Sequence, residues 1–157
     1  MSSDLEQLYQ QIILQHAKTR HGEGLTDAPA GAAAGESHQL NPTCGDEITL
    51  RAVLNGLDGG AADGARVEGI SWEGQGCSIS MASASVLTDL MAGMPRGEAL
   101  DLVENFRDVM RSRGTVEADE EVLGDAAAFS GVSRYPARVK CAMLAWVALE
   151  EAVKAAK

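Results

Sequence analysis

Leu5, Leu8, Ile12 and Ile13 recur at helical spacing behind Ser2, Ser3 and Asp4, which can cap a first turn, so the pattern predicts an amphipathic helix over residues 4–18. The period then stops. Gly, Ala and Pro fill Gly22 to Glu36, and the segment 22–37 is expected to be a mobile loop. Polar and apolar residues alternate from Glu47 to Leu54, the signature of a half-buried strand. Asn55 to Gly64, with Asp-Gly and Gly-Gly, reads as a loop. A second strand over Ala65–Glu73 should pair antiparallel with the first, and its change of phase near Gly69 suggests a bulge.

The remainder of the chain is helical in pattern. Ser78 to Met91 carries small residues around most of its circumference and one charge, Asp89, so it should be packed on several sides. Pro95 opens a helix with Ala99, Leu102, Val103, Phe106, Val109 and Met110 on one face. A polar stretch from Gly114 to Glu121 precedes a short helical turn over Leu123–Phe129. The last helix starts near Pro136, with Val139, Met143, Trp146, Leu149 and Val153 in one stripe and Ala137, Cys141, Ala145, Ala148 and Ala152 almost opposite.

The 157 residues suffice for one domain, taken as 1–157. A formal net charge of −10 argues against a general nucleic-acid or anionic-membrane binder, which needs clustered Lys and Arg. Arg134, Arg138 and Lys140 form a local basic patch just before Cys141. An odd number of cysteines and an N-terminus lacking the basic and apolar regions of a secretory signal fit reduced thiols in the cytoplasm. No apolar run approaches the roughly 20 residues that cross a bilayer, so no membrane role is expected.

The three cysteines, with Asp46, supply four potential metal ligands. Cys44 precedes the first strand and Cys77 follows the second, so antiparallel pairing brings both to one end of the sheet. Gly74 and Gly76 permit a tight turn ahead of Cys77, whose place at a helix start favours its thiolate. Cys141 lies in the first turns of the last helix. Asn41-Pro42-Thr43 and Gly45 put Cys44 in an exposed turn. Each residue also has a bland reading: Cys44 a surface thiol, Asp46 a turn former, Cys77 and Cys141 core residues. His16 and His21 are read mainly as surface residues, and His38 as a weak competitor for the site. Cys-x-x-Cys knuckles, a Walker loop, a dinucleotide-binding glycine pattern and a nucleophile elbow are all missing.

Several longer motifs stand together: Leu8-Tyr9 through His16-Ala-Lys-Thr-Arg20-His-Gly22, Asn41-Pro-Thr-Cys-Gly-Asp46, Gly74-Gln-Gly-Cys-Ser-Ile-Ser-Met-Ala-Ser83, and Arg138-Val-Lys-Cys141. On these, the chain resembles SufU-type sulfur acceptors of the IscU/NifU-like iron–sulfur assembly group over nearly its whole length. The resemblance implies an α+β fold, a small antiparallel sheet packed by helices, with a metal site at one end of the sheet. It also implies zinc held by Cys44, Asp46, Cys77 and Cys141, and a SufS-type cysteine desulfurase as partner. Cys44 would accept sulfur as a persulfide, assisted by Arg138, and pass it to a downstream iron–sulfur scaffold. The protein would be a sulfurtransferase, monomeric or a weak homo-oligomer.

Departures from the scaffold branch favour sulfur transfer. Lys140 stands where scaffolds carry histidine, their Leu-Pro-Pro-Val-Lys motif is missing, and Cys77 lies 64 positions before Cys141. Gln15, Ala17 and Thr19 replace the Asp, Tyr and Pro usual in the first helix. The alternative is an IscU-like scaffold in which the same ligands hold a transient iron–sulfur cluster.

Overall fold

The computed structural model describes residues 3–30, 32–42, 45–55, 65–116 and 118–156. In chain order the elements are α1 (Ser3–Thr19), β1 (Ala33–Asn41), β2 (Asp46–Asn55), β3 (Arg66–Gln75), α2 (Ser78–Met91), α3 (Arg96–Arg111), α4 (Glu120–Leu123), a 3-10 helix (Gly124–Arg134) and α5 (Pro136–Ala155). This is the expected α+β architecture, with one antiparallel sheet in the order β1-β2-β3.

The β2–β3 hairpin follows the alternation in the sequence. Glu47 pairs with Gln75 at one end, and the register slips between Val53, opposite Gly69, and Leu54, opposite Val67. Glu68 is therefore the extra residue of a bulge beside Gly69. Beyond Asn55, the loop expected up to Gly64 lies outside the described residues.

The sequence reading of 22–37 as a single mobile loop needs correction, because β1 occupies its last part and pairs with β2 from Ala33↔Leu54 to Asn41↔Asp46. The buried positions of β1 are Gly35, Ser37 and Asn41, whereas Leu40 is 56% exposed. Those inward residues are small or polar because α5 lies directly on this strand. A Cβ added to Gly35 would stand 1.8 Å from the Ala152 carbonyl oxygen, so only glycine lets the two backbones approach this closely. Ser37 Oγ donates to Glu151 Oε2 of α5. The preceding stretch is also tied down: Trp72 N–H donates to the Gly22 carbonyl, Gly24 N–H to that of Trp72, and Thr26 N–H to Ser71 Oγ.

One hydrophobic cluster joins the sheet to the helices. Phe106 of α3 stacks on Trp146 of α5 with centroids 4.1 Å apart, and Phe129 meets Phe106 edge-on. α2 runs through the middle, burying Ser80 to Leu87 without interruption. Its serines are satisfied inside the core: Ser83 Oγ donates to the Ala142 carbonyl and accepts from Trp146 Nε1. Both faces of α5 are buried, the alanine face included. No described helix is long and apolar enough to cross a membrane.

Candidate metal centre

The β2–β3 pairing sets the start of β2 beside the end of β3, and β3 leads through Gly76 directly into α2. Asp46 and Cys77 consequently meet. Cys77 occupies the cap position of α2, and its backbone N–H donates to Asp46 Oδ1 at 2.9 Å. That bond satisfies one of the N–H groups a helix start leaves open. The approach leaves no room for a side chain at Gly76, where a Cβ would lie 2.3 Å from Asp46 Oδ1.

Asp46 is fully buried, yet every contact around it favours its charged form. Ser80 Oγ donates to Oδ2 at 2.6 Å, and Cys77 Sγ lies 3.9 Å from the same oxygen. Burial pushes the Asp46 carboxyl upward, but hydrogen bonds from Ser80, Cys141, the Cys77 backbone and the Cys77 thiol outweigh it and hold the pKa below its ordinary value. A carboxylate offers about four lone-pair sites, so capacity for a metal bond remains.

Cys141 comes from the second turn of α5 and is 3% exposed, whereas Cys77 is exposed. One ligand atom each from Asp46, Cys77 and Cys141 lie within 4.8 Å of one another, at the end of the sheet where the site was expected. Two sulfurs and a carboxylate suit zinc, and equally a thiolate-bound iron–sulfur cluster. Cys44, the remaining sequence candidate, lies outside the described residues.

Arg138 sits one helical turn before Cys141 on α5, exposed, with its guanidinium carbon 5.8 Å from the centre of the Tyr135 ring. Among the described residues it makes no ion pair. It lines a groove of about 490 Å³ with Arg134, Tyr135, Ile13, Leu14 and Ser78, the residue after Cys77. Basic side chains thus stand beside the α2 start.

Ser80 is the contributor that the sequence reading passed over. Cys77 and Ser80 are three apart at a helix start, a spacing that puts them on one face, and their Sγ and Oγ atoms are 3.4 Å apart. His38 does not join the group: its Nε2 lies 3.0 Å from Glu47 Oε2 on the open side of the sheet. His16 corrects its surface reading, being only 7% exposed and held between Ser85 and Asp125.

The model of the NifU-like N terminal domain matches residues 8–142. The chain belongs to this family. It is 40% identical over 153 residues to the zinc-dependent sulfurtransferase SufU of Bacillus subtilis, covering 97% of this chain and 93% of the relative. It is 37% identical to the iron-sulfur cluster assembly scaffold protein IscU of Streptococcus pyogenes, covering 97% and 86%. Among solved structures, it is similar to a protein from Fervidobacterium islandicum described as an iron-sulfur cluster assembly scaffold for the SUF system. That match has a TM-score of 0.72 and 32% identity, covering 94% of this chain and 98% of the other. Within the NifU-like family, this chain brings its Asp46, Cys77 and Cys141 together without any cysteine knuckle.

Proposed function

We propose that this chain is a cytoplasmic sulfur carrier of the SufU type, which takes persulfide sulfur from a SufS-type cysteine desulfurase onto Cys44 and delivers it to iron–sulfur cluster assembly. The observation that carries this reading is the convergence of Asp46, Cys77 and Cys141. The 40% identity to a zinc-dependent sulfurtransferase adds to it. Covalent geometry limits Cys44, two residues before Asp46, to within about 7 Å of it between Cα atoms. The four side chains would then hold zinc, which keeps bound sulfurs as thiolates near neutral pH.

Cys77 and Asp46 are fixed by backbone hydrogen bonding, and Cys141 is buried on a packed helix. Cys44 is the ligand that leaves to react. Its thiolate attacks the outer sulfur of the desulfurase Cys–S–SH group, forming a new S–S bond on Cys44. The old S–S bond breaks, and its electron pair departs on the desulfurase cysteine. Arg138, one turn from Cys141, supplies positive charge against the sulfur anions in play.

The test combines the purified chain, a SufS-type desulfurase and cysteine, and follows alanine release. The wild-type chain should accelerate release and Cys44→Ala should abolish the acceleration; equal stimulation by the variant would remove Cys44 from this role. The identity to an IscU scaffold protein favours a second reading, in which the same ligands hold a transient cluster. Brown protein with stoichiometric iron and sulfide supports the scaffold, and colourless protein with zinc supports the carrier.

A further inference from the structure

Nitrogen and oxygen ligands converge at a second place, further along α2. His16 of α1, His21 of the turn that follows it and Asp89 of α2 each present one ligand atom within 4.8 Å of the others. Asp89 is twelve residues beyond Cys77 on a helix that rises 1.5 Å per residue, about 18 Å away. The two clusters therefore share no side chain.

The surroundings of His16 give its ring a fixed direction. Nε2 lies 3.2 Å from Asp125 Oδ2, and Nδ1 lies 2.8 Å from Ser85 Oγ. A histidine that donates one N–H to a carboxylate keeps its lone pair on the other nitrogen, the arrangement by which proteins orient imidazole toward a metal. With Asp125 accepting from Nε2–H, Nδ1 of His16 carries the lone pair and accepts the Ser85 hydroxyl, a hydrogen bond that a bound ion would displace. Ser85 Oγ also accepts the backbone N–H of His21 at 2.9 Å, so one hydroxyl brings both histidines to the same spot.

His21 stands edge-on to His16, with centroids 5.4 Å apart and planes at 77°. Its Nδ1 lies 2.5 Å from Asp89 Oδ2. The side chains of His21 and Asp89 are 46% and 50% exposed, so solvent reaches both of them.

We propose that His16, His21 and Asp89 form a second metal site, distinct from the sulfur site, which takes a divalent transition ion such as zinc with solvent completing the coordination. Two imidazoles and a carboxylate match that class, since calcium and magnesium take oxygen ligands. Bonds of about 2.0–2.1 Å place tetrahedral ligands about 3.3 Å apart. His21 and Asp89 open slightly to reach that spacing, and both have the freedom of exposed side chains. The ion would clip the end of α1 and the turn after it onto α2.

The test is a titration of the metal-free full chain with Co²⁺, followed by zinc analysis after dialysis. A cysteine-bound cobalt shows thiolate-to-cobalt charge transfer, and a nitrogen–oxygen site shows only ligand-field bands. The expected result is a second equivalent without charge transfer. His21→Asn and Asp89→Asn should each weaken it at least about tenfold, with the fold checked by circular dichroism. Cys77→Ser should weaken the charge transfer, since fewer thiolates remain, and leave the second equivalent in place. Saturation at one charge-transfer equivalent, or a charge-transfer-free equivalent untouched by both His21→Asn and Asp89→Asn, overturns the site and leaves a hydrogen-bonded clasp. Loss of the charge-transfer event in the wild-type chain would instead count against the sulfur site alone.

Discussion

Ser80 Oγ donates to Asp46 Oδ2 at 2.6 Å, joining the second turn-forming serine of α2 to the first residue of β2. Neither residue reaches water to any extent. Ser80 therefore orients the carboxylate instead of binding substrate. Ser80→Ala should lower zinc affinity about 10- to 100-fold, the usual effect of removing such a supporting hydrogen bond. Competition with a chromophoric chelator measures this, and unchanged affinity would deny Ser80 the orienting role.

Gly76→Ala tests the same corner by crowding. The new Cβ would meet Asp46 Oδ1 at 2.3 Å, so the Asp46–Cys77 hydrogen bond must give way. Zinc content after purification should fall together with the melting temperature. A variant with full zinc and wild-type melting would show that β3 can retreat from Asp46.

Gly35→Ala addresses the strand that the sequence pattern hid. Its Cβ would collide with the Ala152 carbonyl of α5, and that neighbour is backbone, with little room to move. Overpacking of this sort costs about 1–3 kcal/mol or more. Urea unfolding should register the loss, while the metal ligands, on other elements, remain in place.

Most of the architecture was legible because the inward positions of β2, α2 and α3 carry apolar or small residues at the proper period. Ile48, Leu50, Ala52 and Leu54 announce β2, and all four are buried. β1 escaped because Gly35, Ser37 and Asn41 fill its inward positions, and Leu40 points outward. Nothing in its local pattern reports a helix lying on top. Of the four ligand candidates read from the sequence, Cys44 lies outside the described residues, and Asp46, Cys77 and Cys141 converge because strand pairing sets the start of β2 beside the end of β3. The burial of His16 was not, since its partners Ser85 and Asp125 are 69 and 109 residues away in sequence.

Acid should weaken the fold through Glu150. The Arg107 guanidinium hydrogen-bonded to Glu150 holds that carboxyl below its ordinary value of 4.5, against the upward push of burial, with Arg107 and Lys154 charges helping. A lowered folded-state pKa contributes stability that is complete above the unfolded value and is lost as pH falls through the folded one. Glu150→Gln should therefore be less stable than wild type at neutral pH, by about 1–3 kcal/mol. The gap should narrow below pH 4.5. Urea denaturation at neutral pH and at about pH 3 gives both values; a gap independent of pH would contradict the ion pair.

The backbone bond from Cys77 to Asp46 and the Ser80 bond to the same carboxylate contain no sulfur. A cysteine thiol here can lose its metal, gain a sulfur atom or be oxidised without breaking either bond. The corner that joins sheet to helix is therefore held independently of the state of the sulfurs beside it. A change confined to the side-chain sulfurs leaves these two anchors of the surrounding chain in place.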